Sequence, residues 1–208
     1  MLSLSYQEII GYSAGIITFL NMFLYMRAIV RSGIRPSLTY WILSEISMIL
    51  IALSSFSLGD RTTLWIAVAY AVMQIAIIWL ALGHKYEKIT SLDKTLFFLG
   101  GVSVFLWWYT NNPLYALVIN VGIDASSYIP LYKKTWHDAL SEDTLYWEIT
   151  AFASVINMFA ITNISFEWVL YPWYLGVANL TMMLLLILRK PRTLGAKISV
   201  LIYRYLHI

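Results

Sequence analysis

The chain has 208 residues, of which 60% are hydrophobic and 12% charged, with a mean hydropathy of +0.71 and a formal net charge of +3. Soluble domains carry about a quarter charged residues, so half that fraction points to the bilayer as solvent and argues against a soluble domain or a nucleic-acid partner. The absence of cysteine excludes disulfide frameworks, thiolate metal sites and cysteine nucleophiles.

The N-terminal "MLSLSYQEII" has no basic segment ahead of its apolar run, so the first span reads as retained rather than cleaved. A spanning helix needs about 20 mostly apolar residues. Seven stretches are predicted on that basis: Ile9–Val30, Leu38–Leu58, Leu64–Leu82, Thr95–Thr110, Pro113–Tyr132, Thr144–Ile164 and Val169–Leu188. The runs are too long, and too poor in alternation, for an outer-membrane barrel. After them, "RKPRTLGAKISVLIYRYLHI" places Leu194, Ile198, Leu201, Ile202 and Tyr205 at helical spacing among basic residues, which predicts an interfacial helix on the inner leaflet.

Thirteen of the fourteen Lys and Arg residues fall on one set of alternate connections, and Arg61 alone falls on the other. Short basic loops stay cytoplasmic, which predicts an external N-terminus and a cytoplasmic C-terminus. The tryptophans follow the ends of the spans. Trp65, Trp107, Trp108, Trp168 and Trp173 lie near outer ends, and Trp41, Trp79, Trp136 and Trp147 near inner ends, as interfacial belts would.

Offsetting the chain against itself by 106 residues lays "NMFLYMRAIVRSGIRPSLTYWILSEI" on "SYIPLYKKTWHDALSEDTLYWEITAF". Arg27 then meets Lys133, and Tyr40–Trp41 meets Tyr146–Trp147. Spans 1–3 and 5–7 thus read as parallel three-helix repeats, with span 4 restoring the orientation between them. The expected division is 1–83 for the first repeat, 84–112 for the linker and span 4, 113–190 for the second repeat and 191–208 for the tail.

With "YIPLYKKTW" ending span 5 and "YPWYLGVAN" opening span 7, the chain resembles the SWEET and PQ-loop carrier superfamily. Carriers of that group are built from parallel repeats related by an axis along the membrane normal. Leu131 stands where the superfamily has the glutamine of its Pro-Gln pair, Leu24 where a matching proline would sit, and Trp173 where sugar carriers often have asparagine. These departures point to a divergent relative and away from sugar as the default solute. The resemblance implies that Pro130 is a hinge of the cavity; taken alone, the residue reads equally as a static kink, its ring crowding the carbonyl of Ser126. Ser126, Ser127 or a neighbouring helix would then re-satisfy the freed backbone.

Polar residues at membrane depth are the candidate site. They are Asn21 in span 1, Gln74 in span 3, Asn120 and Asp124 in span 5, Asn157 in span 6 and Asn179 in span 7, with Glu45 two turns inside span 2. A carboxylate at a helix centre costs roughly 3 kcal/mol, so such groups face protein or a wet cavity. Asn21, Gln74, Asp124 and Asn179 are expected to bind solute, with Tyr70 and Tyr174 as an aromatic wall. Asp124, Glu45 and Glu148 are the candidates for proton or cation coupling, Glu148 also being within reach of Lys133, Lys134 or water. The amides serve equally well as interhelical glue.

No lysine lies within a span, which excludes a retinal Schiff base. His84, His137 and His207 form no metal pair, and no phosphate-cradling glycine loop or nucleophile elbow is present. No cofactor or metal is expected, and enzyme activity is not. The sequence therefore predicts an all-α integral membrane transporter of a small polar solute, sugar or another metabolite, with the lipid bilayer as its other partner and homo-oligomerisation open. A membrane receptor or scaffold on the same fold, and an intramembrane enzyme using Asp124 with Glu45, are the alternatives.

Overall fold

A computed structural model of the chain describes residues 4–83, 90–110 and 112–190; the side chains at 92, 100, 103 and 107 are not among those described. The tail at 191–208 and the loop holding His84, Lys85 and Lys88 lie outside the described residues, so the expected interfacial helix does too. The described residues are all-helical, without strand. Among them seven α-helices run α1 Tyr6–Ser32, α2 Leu38–Ser57, α3 Trp65–Gly83, α4 Ser91–Thr110, α5 Pro113–His137, α6 Thr144–Met158 and α7 Phe166–Arg189. A 3₁₀ turn at Ala139–Ser141 precedes α6. Five of them, α1, α2, α3, α5 and α7, are long and apolar enough to cross a membrane.

Local chemistry sets most of the ends. Ser5 caps α1 reciprocally with Glu8, the Glu8 N–H donating to Ser5 Oγ at 3.2 Å and the Ser5 N–H to Glu8 Oε2 at 2.7 Å. Gly33 closes the same helix with φ 66°, the left-handed conformation that a side chain disfavours. Ser37 caps α2 through Tyr40 N–H at 3.4 Å, and Asp143 caps α6 through Tyr146 N–H at 2.8 Å. Pro113 occupies the first turn of α5 behind the Asn112 cap, where its missing N–H costs nothing.

Helix α3 packs on α1 and α2, and α7 on α5 and α6. In addition α2 lies against α5 and α1 against α6, while α4 lies on α5 and touches α2. Where α1 meets α3 the backbones almost touch. A Cβ on Gly11 would stand 1.9 Å from the Thr62 carbonyl oxygen, and one on Gly15 would stand 2.9 Å from Trp65 Cβ, so only glycine permits the approach. Leucines, isoleucines and phenylalanines such as Leu20, Phe98, Phe152 and Leu188 cover the outside, as a lipid-facing surface requires.

Two expectations need correction. The sequence predicts a sixth span reaching Ile164, but α6 stops at Met158 and Ile164 is 94% exposed. The Phe159 and Ala160 N–H groups fold back onto the Ile156 and Asn157 carbonyls, tightening and ending the helix. Trp41 and Trp147, predicted at the interface, are wholly buried. Both indoles turn inward, Trp41 against Tyr25 with ring centroids 4.9 Å apart and Trp147 with its Nε1 on the buried Glu142 at 3.1 Å. Trp79, Trp108, Trp136 and Trp173 do stay exposed.

Candidate functional site

The interior polar residues fall in two layers along the bundle. The first crosses its middle. Asp124, halfway along α5, is fully buried and accepts a hydrogen bond from the Tyr174 hydroxyl of α7 at 2.6 Å on Oδ2. Gln74, halfway along α3 and also fully buried, donates from Nε2 to Ser44 Oγ of α2 at 3.3 Å. The Ser44 hydroxyl interacts with Asp124 as well, so this serine joins three helices. Asn120, one turn before Asp124, donates to its own helix at the Ala116 carbonyl, 2.8 Å away.

The second half of this layer belongs to α6 and α7. Asn179 accepts from the Tyr128 hydroxyl at 2.7 Å and donates to Ser154 Oγ at 2.7 Å. Ser154 directs its own proton to the Thr150 carbonyl. Asn21 of α1 donates to the Tyr146 carbonyl and Thr150 Oγ1, each at 2.9 Å. Tyr70, one turn from Gln74, is buried and interacts with Thr150, Asn179 and Tyr146. Every expected binding residue except Tyr174 is therefore buried, and Asn21, Tyr70 and Asn179 meet around Thr150 and Ser154. Tyr174 is half-buried; with Tyr128, Tyr132, Trp173, Val177 and Ala178 it lines a groove of about 760 Å³ between α5 and α7, and its hydroxyl holds Asp124.

The coupling candidates separate. Glu45 is 7% exposed, and both its oxygens are buried without a hydrogen-bond partner among the described residues. No hydrogen bond joins it to Asp124 among the described residues. Glu148 is exposed on α6 and takes no part in an ion pair among the described residues. Lys134, one of its predicted partners, is engaged elsewhere.

That engagement is the second layer, at the end where the α1–α2 and α5–α6 connections meet. Lys134 Nζ donates to Glu142 Oε1 and to the Arg35 carbonyl. Glu142, 1% exposed, takes two further hydrogen bonds on Oε2, from Tyr25 OH at 2.8 Å and Trp147 Nε1 at 3.1 Å. The Arg35 N–H donates to the Ser141 carbonyl at 3.1 Å, and its guanidinium reaches Asp138 at 3.5 Å. Tyr40 donates to Tyr128 OH at 3.3 Å beneath this cluster, and the rings of Tyr25, Tyr40, Trp41, Tyr128, Tyr146 and Trp147 form one continuous aromatic plug. Nothing in the sequence marks Glu142, which lies in a polar loop.

Asn157 donates to the Thr63 carbonyl at 3.0 Å, tying α6 to the start of α3. Asp60 organises that corner, accepting from the Thr62 and Thr63 N–H groups at 2.8 and 2.9 Å and from the Thr63 hydroxyl. Pro130 lies within α5 between the layers. The Ser126 and Ser127 hydroxyls donate to the Ile123 and Asp124 carbonyls at 2.7 and 2.6 Å, further back along the helix than the carbonyl that the proline crowds.

Comparison with family models, with curated proteins and with solved structures gives no match for this chain. Its function is therefore to be sought in the interior itself.

Proposed function

We propose that this chain is a membrane carrier on the SWEET and PQ-loop plan, moving a small polar solute by alternating access without converting it. In this reading α1–α3 and α5–α7 are parallel three-helix repeats, α4 is the linker, and all seven helices cross the bilayer with the N-terminus outside and the C-terminus cytoplasmic. The observation that carries it is a pair of contacts. Tyr40 OH meets Tyr128 OH, and Tyr146 OH meets Met22 Sδ at 3.6 Å. Met22 and Tyr128 are 106 residues apart, and so are Tyr40 and Tyr146. The sequence offset thus supplies both partners of one contact from the other.

Other features support the same reading. The α2–α5 and α1–α6 junctions exchange under the offset, and so do the α1–α3 and α5–α7 contacts. The caps Ser37 and Asp143 are also 106 residues apart. In each half a mid-helix amide of the third helix donates to a serine of the second, Gln74 to Ser44 and Asn179 to Ser154.

Mechanistically, the Lys134–Glu142 cluster and the aromatic plug close the basic end, and Asn157 with Thr63 closes the other. Opening the basic end requires α5 beyond Pro130 to swing away from the α1–α2 connection, taking Lys134 off the Arg35 carbonyl. A proline bend between Asp124 and Lys134 lets the gate move while the binding layer stays assembled. Opening the far end requires only the loss of the Asn157 contact and a rearrangement around Asp60.

Uptake of labelled sugars, amino acids, vitamins and nucleosides into proteoliposomes is the test, and absence of flux for every class would sink the carrier reading. A non-transporting receptor or scaffold is favoured by one observation: Tyr128, Asn179, Ser154 and Thr150 hydrogen-bond one another in series, as glue would. Replacing Asn179 by leucine separates the two, because a carrier loses flux whereas a scaffold keeps its fold and its partner.

A further inference from the structure

Asn179 has both its donor and its acceptor engaged, whereas the other amides of the middle layer keep an acceptor left over. Asn21, Gln74 and Asn120 each donate through the side-chain nitrogen, yet Asn21 Oδ1, Gln74 Oε1 and Asn120 Oδ1 have no partner among the described residues. Asp124 Oδ1 and both Glu45 oxygens join that set. The buried hydroxyls without partners, such as Ser47 and Thr18, can turn to give or to accept. Among the described residues Trp41 Nε1 is the one donor-only atom in this condition, and it belongs to the aromatic plug beside Tyr25.

An acceptor buried without a donor costs about 1–3 kcal/mol, and more when charged. Gln74 and Asp124 approach each other through Ser44, and Asn120 stands one turn from Asp124 on α5, so their free oxygens describe the complement of a ligand made of donors. Charge points the same way. The ion pairs among the described residues are Arg35–Asp138 and Lys134–Glu142, so Asp124 and Glu45 have no cation among those residues. The Tyr174 hydroxyl occupies Asp124 Oδ2 at 2.6 Å, which leaves Oδ1 for the ligand. No group of three His, Cys, Asp or Glu able to hold a metal ion occurs among the described residues. A hard divalent cation needs about six oxygen ligands rich in carboxylate, which this layer does not supply.

We propose that the middle layer binds an organic ammonium solute, its charge held by Asp124 and its N–H groups by the free oxygens of Gln74 and Asn120. An ammonium supplies three donors and no acceptor. A sugar would bring acceptors as well as donors, and a carboxylate only acceptors with the wrong charge. This assigns a substrate class to the site of the carrier reading, but binding stands or falls independently of transport.

The test uses the full-length protein in nanodiscs and isothermal titration with putrescine, its fully N-methylated analogue, glucose and succinate. Putrescine is expected to bind, the N-methylated analogue at least about tenfold more weakly because it lacks N–H donors, and glucose and succinate not measurably. Asp124→Asn is expected to lower putrescine affinity by about tenfold or more while the ligand-free protein melts no lower than its parent. If that variant does not fold, Gln74→Met provides the second reading, with a severalfold loss expected for putrescine. Tighter binding of glucose or succinate than of putrescine overturns the proposal, as does unchanged putrescine affinity in a folded Asp124→Asn or Gln74→Met protein. Putrescine binding without flux in proteoliposomes removes the carrier reading and leaves this one; flux of a neutral solute with no putrescine binding does the reverse.

Discussion

Replacing Lys134 by methionine is the sharpest perturbation of the closed end. The lysine and Glu142 are 8% and 1% exposed, so the substitution leaves a carboxylate buried without its cation. Breaking a buried pair by removing one member costs about 3–5 kcal/mol. Glu142 retains the Tyr25 hydroxyl and the Trp147 indole N–H on its other oxygen, and hydrogen bonds to a charged group contribute about 1.5–3 kcal/mol each, which places the cost near the lower limit. About 3 kcal/mol withdrawn from the closed arrangement alone changes its equilibrium with an open one by up to about 150-fold. The chain has no cysteine, so Ser141→Cys introduces a single thiol, at a position 2% exposed next to Glu142. Maleimide labelling of that thiol is expected to be slow in the parent and at least about tenfold faster once Lys134 is methionine. Adding Glu142→Gln removes the stranded charge and should return the rate most of the way. Equal labelling of parent and Lys134→Met proteins would refute the gate, as would a double variant no slower than the single one.

Three further outcomes follow from packing and hydrogen bonding. Gly11→Ala drives a methyl into the Thr62 backbone and should cost about 1–3 kcal/mol of stability, read as a lowered melting temperature in detergent against Gly122→Ala, whose Cβ meets nothing within 4 Å. Equal melting of the two would contradict the close α1–α3 approach. Asp60→Ala strips the acceptor from the Thr62 and Thr63 N–H groups and should destabilise by about 1–2 kcal/mol, with faster amide exchange confined to the start of α3. Tyr128→Phe removes the donor to Asn179 Oδ1 and, by orphaning a buried acceptor, should cost about 1–3 kcal/mol; a double-mutant cycle with Asn179→Ala isolates that bond, and zero coupling would deny it.

The helical membrane character is legible because length and hydropathy act segment by segment. So is the burial of Asn21, Gln74, Asp124 and Asn179, since a polar group halfway along an apolar helix has few acceptable places. The side on which an aromatic falls is not legible. Trp41 and Trp147 lie near helix ends, where a belt residue and a core residue look alike, and only tertiary partners, Tyr25 and Glu142, mark them as interior. Glu142 is invisible for a different reason. A loop carboxylate is buried only if other elements dock on it, and here the partners are Tyr25 of α1, 117 residues earlier, Lys134 of α5 and Trp147 of α6. The early end of α6 is set by the Phe159 and Ala160 N–H groups folding back onto Ile156 and Asn157, which apolar content does not announce.

Arg35 and Ser141 are counterparts under the 106-residue offset, yet the bond between them runs one way. The amide of Arg35 gives to the carbonyl of Ser141, while the amide of Ser141 turns to Asp138 and the carbonyl of Arg35 takes the ammonium of Lys134. Two identical half-length subunits facing each other could form that link reciprocally or not at all. A single chain is free of the constraint, and the carbonyl thereby released becomes an anchor point for the lysine on which the whole closed end is hung.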